Sequence, residues 1–220
     1  MREYPEIFKG YQVEAFFTKK IVDFEKFKNS LPFKFYLPIQ KHTDNVQILN
    51  NYTTESTVAD AVITDRKNLF IGVKTADCLP VLIFDPQSKI IGAVHAGWRG
   101  TAKGILKKTI CKMREIYGCE PKDLLIAFGP YIKACCYEVG DEVIEQIKKE
   151  TFNEEYIFQV NGKKHIDIGI ANLIQALSVG VKRENIWFSK DCTYCKNNEY
   201  ASYRFNKEKA GRQYGIIGML

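Results

Sequence analysis

Three short apolar, β-branched runs follow one another closely in the middle of this chain, at residues 69–74, 80–85 and 90–95. Only Pro86-Gln87-Ser88-Lys89, a turn sequence, separates the last two. Strands this close leave no room for a crossover helix, so the spacing predicts a hairpin or three-stranded meander and not βαβ units. After His95 the period changes. Ala102, Ile105, Leu106, Thr109, Ile110, Met113 and Ile116 recur at three- and four-residue steps, the mark of an amphipathic helix, with Gly118 placed as its C-cap.

Further along, residues 124–128, 186–189 and 213–218 read as strands, and residues 139–150 and 168–177 as helices. The N-terminal sixty residues carry no clear period. Strands and helices mixed in this way, with hairpins among them, predict an α+β fold with mixed or antiparallel sheets. No repeat, low-complexity tract or Pro/Gly/Ser-rich linker interrupts the 220 residues, which are read as one domain, 1–220.

Composition narrows the function. An apolar fraction of 45% is too rich for a disordered chain. The net charge of +6 comes from lysines spread among glutamates, and no basic run is interleaved with stacking aromatics, so a nucleic-acid partner is not expected. The charge favours small anionic substrates. The start Met1-Arg2-Glu3-Tyr4-Pro5 has no apolar leader and no run reaches transmembrane length, so a cytoplasmic protein without a membrane partner is expected. Seven cysteines, an odd number, then read as free thiols and not as a disulfide framework.

The chain has only three histidines, and two lie in loop-like settings. His42 stands in Gln40-Lys41-His42-Thr43-Asp44-Asn45, and His95 opens the turn Ala96-Gly97-Trp98-Arg99-Gly100. Cys78 lies within Thr75-Ala76-Asp77-Cys78-Leu79-Pro80, after the first apolar run. A thiolate and two imidazoles form a borderline-soft donor set suited to zinc, and three protein ligands leave a fourth position open. The sequence separation does not by itself bring them together, and a satisfied histidine and a packed cysteine are the other reading. Arg99, between two glycines before a helix, can grip a phosphate or carboxylate, or simply stand on an exposed turn.

The motifs Thr75-Ala76-Asp77-Cys78-Leu79-Pro80 and His95-Ala96-Gly97-Trp98-Arg99-Gly100 resemble those of the laccase-domain (YfiH-like) family. So do Cys135-Cys136-Tyr137-Glu138-Val139-Gly140, Cys192-Thr193-Tyr194-Cys195, Ser202-Tyr203-Arg204 and Gly211-Arg212-Gln213. The resemblance runs in order from about Gln40 to the C-terminus. It implies a four-layer α/β/β/α sandwich with mixed β-sheets and zinc held by His42, Cys78 and His95. It also implies phosphorolysis of adenosine, inosine, guanosine and methylthioadenosine, with adenosine deamination as a second activity. Nucleosides and phosphate would be the partners. Two departures stand out: Lys41 and Thr43 flank His42, where an apolar residue and glycine are usual, and Tyr131-Ile132-Lys133-Ala134 precedes Cys135, where a Gly-Pro-rich stretch is more common.

The family's older name implies copper oxidase chemistry. Three histidines are too few for a blue-copper plus trinuclear centre, although copper(II) would compete for the zinc site as an adventitious occupant. Asp77, beside Cys78, is the expected catalytic carboxylate, orienting a ligand, or else a turn cap. Glu138 is a further acid/base candidate. Arg204 is a second anion ligand or a surface ion pair, and Trp98 a packing anchor or pocket wall. A cysteine hydrolase with Cys78 as nucleophile and His95 as base is the alternative activity, and a binding protein without turnover a third. Cys192-x-x-Cys195 has a zinc-ribbon look, but Cys135-Cys136 is adjacent and not a second C-x-x-C, so these four are read as packed thiols. His165 is read as a strand or loop histidine.

Overall fold

Runs of apolar residues with no polar alternation make strands that must be covered on both faces. The computed structural model, which describes residues 2–50 and 55–220, meets that demand with four layers. One mixed sheet has the order β1 (Arg2–Glu3), β2 (Val13–Thr18), β13 (Gln213–Met219), β6 (Leu69–Thr75) and β3 (Lys34–Tyr36). The other runs β12 (Ile186–Phe188), β9 (Leu125–Phe128), β7 (Leu79–Asp85), β8 (Ile90–Ala96), β5 (Ala61–Thr64) and β4 (Val46–Ile48). Most pairings are antiparallel, while β3 with β6, β4 with β5 and β9 with β12 are parallel.

The two sheets share one face. Phe17, Ile71, Val73 and Ile217 of the first sheet pack on Val62, Leu82, Phe84, Ile91 and Ala93 of the second. Neighbouring residues point the other way, because side chains alternate along a strand. Leu79, Val81, Ile83 and Val94 thus meet helices α3 (Ile105–Tyr117), α4 (Asp141–Thr151) and α5 (Ile168–Ser178) on the outside. The opposite outer face, with Phe16, Phe35, Phe70 and Ile216, is covered by Phe24 and Phe27 of the short helix α1 (Phe24–Asn29). Each fully buried Leu, Ile or Phe contributes about 1.5–3 kcal/mol, and every residue of β7, β8 and β13 is buried. The expected α+β sandwich with four α/β/β/α layers and mixed sheets is therefore the observed one.

Two expectations need correction. The runs at 69–74, 80–85 and 90–95 do not form one meander: β7 and β8 are a hairpin, but β6 belongs to the facing sheet. A strand apolar on both faces carries no mark of which sheet it joins, and β6 finds its neighbour in β13 near the far end of the chain. The helical period after His95 is also broken. It divides into α2 (Trp98–Ala102) and α3 at Gly104, whose φ of 69° is left-handed. A side chain there would be strained by that φ, so the bend favours glycine. Gly118 caps α3 at φ 69°, as expected.

Candidate metal centre

Strand register assembles the site. In the hairpin, Leu79 faces Ala96, so the next step out sets Cys78 opposite Gly97. Between β5 and β8, Ala61 faces Val94, which sets Asp60 beside His95. The His95 amide donates to the Asp60 carbonyl at 2.7 Å, and His95 Nδ1 hydrogen-bonds Asp60 Oδ1 at 2.8 Å. His42 arrives on the loop between β3 and β4. That loop is fastened at one end by Gln40, whose side chain bonds the backbone N–H and C=O of Lys74 in β6. At the other, the Asp60 carboxylate accepts from the backbone N–H groups of Lys41, His42 and Thr43 and from the Thr43 hydroxyl.

The sequence separations of His42, Cys78 and His95 thus collapse to one place: a ligand atom from each lies within 4.8 Å of the others. His42 Nε2 is 3.9 Å from Cys78 Sγ, and the two imidazole rings meet edge to face at 4.9 Å between centroids. Gly97 makes the approach possible. A Cβ on it would lie 2.8 Å from Cys78 Sγ and 3.1 Å from His42 Cδ2. His42 and Asp77 both hold positive φ, 57° and 82°, the kind of local backbone strain that concentrates at functional sites.

Electrostatics tie the group together. Burial would raise the Cys78 pKa, but the charge of His95 and the hydrogen bond of His42 bring it down to about 6. Burial would lower the His95 pKa, yet the Cys78 thiolate and the Asp60 hydrogen bond hold it up at about 9. Asp60 is itself buried, which opposes ionisation. Its bonds to His95 and Thr43 nevertheless keep the carboxyl well below the usual carboxylate range. These interactions favour a thiolate at Cys78 beside a charged His95. With Nδ1 of His95 engaged by Asp60, Nε2 is the nitrogen left to ligate, the arrangement of carboxylate–histidine–metal sites. Two imidazoles and a thiolate fit zinc, and also copper, better than a hard cation.

The three side chains line a pocket of about 830 Å³, within the range of small-molecule sites. Asp77, Arg99, Tyr137 and Arg204 line it too, whereas the acid/base candidate Glu138 does not. Asp77 accepts from the Thr193 hydroxyl at 2.6 Å and from the Arg204 amide at 2.6 Å, which fixes the short helix Tyr203–Asn206 that carries Arg204. The Arg204 guanidinium lies 5.2 Å over the Tyr137 ring and bonds the Glu138 carbonyl at 2.9 Å. Arg99 is exposed and stacks on half-buried Trp98 at 4.4 Å. The helix after Gly97 has only five residues, so the basic side chains, more than a helix terminus, make this wall positive. The Glu138 carboxylate is exposed and paired with Lys163 at 3.0 Å. His165 Nδ1 meets the Ala134 carbonyl at 2.6 Å, as a structural histidine would. Asp60 went unnoticed in the sequence, where only its place just before an apolar strand set it apart.

An α+β sandwich of two mixed sheets, with two histidines and a cysteine gathered at one end beneath a basic pocket, is the architecture of a laccase-domain protein. The chain belongs to the family described as multi-copper polyphenol oxidoreductase laccase, whose model matches residues 23–220. It is 39% identical over 209 residues to a purine nucleoside phosphorylase of Aquifex aeolicus, covering 94% of this chain and 93% of that protein. It is also 39% identical over 158 residues to adenosine deaminase RL5 from an unknown prokaryotic organism, covering 70% of this chain and 60% of that one. Among solved structures, the hypothetical protein YfiH of Bacillus licheniformis superposes with a TM-score of 0.87 at 26% identity, over 95% of this chain and 93% of that one. No helix among the described residues is long and apolar enough to cross a membrane.

Proposed function

We propose that this chain is a zinc-dependent purine nucleoside phosphorylase acting on adenosine, inosine, guanosine and methylthioadenosine, with adenosine deaminase activity. The observation that carries the reading is the convergence of His42, Cys78 and His95 in a pocket that Arg99 and Arg204 also line. The names of the two relatives agree with the two reactions. In phosphorolysis a phosphate oxygen bonds to the anomeric carbon while the bond from that carbon to the base nitrogen breaks, and the base leaves with a proton. Arg99 and Arg204 are assigned to hold the phosphate. Tyr137 and Trp98, which line the same pocket, are assigned as aromatic surface for a purine. Asp77 is assigned to the catalytic set as the pocket carboxylate that keeps Arg204 in place. Zinc on His42, Cys78 and His95 would supply Lewis acidity, polarising a substrate atom brought against it.

The test is adenosine supplied with and without phosphate. Adenine and ribose 1-phosphate should form only with phosphate, and inosine should form without it. Replacing Arg99 with alanine should lower the phosphate-dependent rate about ten- to hundredfold, the worth of a charged bidentate contact. An unchanged phosphate dependence would remove Arg99 from the role.

One observation favours a second reading. Cys78, His95 and Asp60 also stand in the order nucleophile, base and orienting carboxylate, and the lowered Cys78 pKa suits a nucleophile. As an amide hydrolase, the metal-free protein would accumulate substrate on Cys78. The zinc reading predicts a Cys78 that resists alkylation until a chelator is added. It also gives His42, which a Cys–His–Asp triad does not require, a place in the site.

A further inference from the structure

The four cysteines read from the sequence as packed thiols form a second cluster. The sulfurs of Cys135, Cys136, Cys192 and Cys195 all lie within 4.8 Å of one another. Cys135 to Cys136 is 3.6 Å, Cys135 to Cys195 3.7 Å and Cys136 to Cys195 3.4 Å. Hydrophobic packing does not account for this. A free cysteine behaves as a small apolar residue and is usually buried, but here only Cys192 is buried, and Cys135 and Cys195 are exposed. Four sulfurs meeting at the surface gain little from one another as neutral thiols. Their spacing is that of ligands around one ion: a tetrahedral centre with metal–sulfur bonds of about 2.3 Å has edges of about 3.8 Å. The adjacent pair supplies two corners and the C-x-x-C turn the other two. The backbone N–H of Lys133 points at Cys192 Sγ from 3.5 Å, the kind of outer hydrogen bond that supports a metal-bound thiolate.

We propose that Cys135, Cys136, Cys192 and Cys195 bind a second metal ion, a closed four-sulfur zinc site that is structural and separate from the His42–Cys78–His95 centre. Four soft sulfur donors exclude magnesium and calcium, and a complete tetrahedron leaves no position for substrate. The ion joins two loops distant in sequence. One carries Tyr137 into the pocket wall, and the other leads through Thr193, bonded to Asp77, to Arg204, bonded to Glu138. It thereby staples the segments on which Tyr137 and Arg204 are mounted. The proposal does not depend on the chemistry assigned to the pocket.

Metal analysis of the full chain, purified without added metal, tests it. The unmodified protein should carry about two zinc ions per chain. Cys192→Ser and Cys195→Ser should each lose about one, and His42→Ala should lose the other. If the histidine site holds no metal, the unmodified protein should carry about one and Cys192→Ser none, so the two assignments fail separately. Alkylation of the unmodified protein with peptide mapping covers the case of a serine variant that does not fold. Exposed Cys111 should label at once, and the four clustered thiols only after a chelator is added. Labelling of the four at the rate of Cys111, a mass deficit of two hydrogens per sulfur pair that reports disulfides, or unchanged zinc in Cys192→Ser would each overturn the proposal.

Discussion

The Asp60 carboxylate receives five hydrogen bonds: three from the backbone of the loop that carries His42, one from the Thr43 hydroxyl and one from the ring of His95. A fully buried carboxylate is tolerated only when satisfied in this way. Thr43 contributes two of the five, and the one from its hydroxyl is a bond that a glycine there could not make. Asparagine at position 60 keeps the shape but turns one acceptor into a donor facing donors. Asp60→Asn should weaken metal binding about 10–100-fold and lower stability by about 2–3 kcal/mol, read by chelator competition and urea unfolding. An unaltered affinity would show that Asp60 supports the fold alone. The charge on His95 gives a pH dependence of definite sign. A metal must displace the proton that the free site holds up to a pKa of about 9. Affinity should therefore rise about tenfold per pH unit from about pH 7 and flatten above about pH 9, one proton being released per ion bound. A flat profile across that range would mean that His95 is already neutral in the metal-free protein.

At the scale of elements, Gly104 sets the angle between α2, which carries Arg99, and α3, which covers the sheet. Gly104→Ala must hold φ at 69° with a methyl group against Glu150, a residue already paired with Lys107 at 3.0 Å. A loss of about 1–2 kcal/mol in urea unfolding is expected, against a gain of up to about 1 kcal/mol at an ordinary helical glycine. A gain would show that the bend is not fixed by residue 104. The sequence period detected the long helix but not this bend, because Ala102 and Ile105 continue the three-residue spacing across it. Legibility elsewhere follows the same logic. The cap at Gly118, the β7–β8 hairpin and helix α5 rest on neighbours in sequence, and all were readable. So was a signal left unread: Asn161-Gly162, both at positive φ, turns β10 (Ile157–Val160) into β11 (Lys163–Ile166). The pairing of β6 with β13, the bond from Asp60 to His95 and the meeting of Cys135 with Cys192 depend on contacts between distant segments, which no local pattern encodes. The gathering of His42, Cys78 and His95 was legible only through the family's motifs.

At the scale of the whole molecule, the site stands where the two sheets meet and draws on both. Gln40 ties the His42 loop to β6 in one sheet, while His95 belongs to β8 and Asp60 immediately precedes β5 in the other. Cys78 sits on the connection that leaves β6 for β7 and so crosses between them. On the proposed reading, a single pocket at that junction serves both reactions, phosphorolysis and deamination. Serine at position 78 removes the thiolate but keeps the size of the side chain, so the crossing should survive while the donor set loses its soft member. Cys78→Ser should therefore lower both activities on adenosine by a similar factor, at least about tenfold, and lose the zinc of this centre with little change in unfolding midpoint once both proteins are metal-free. The ratio of adenine to inosine formed, measured at fixed phosphate across a zinc titration, separates the alternatives. A constant ratio as both rates recover places the two reactions at one ion. Full loss of one activity with the other intact would require a second catalytic site elsewhere in the chain, and the junction would then explain only half of what the protein does.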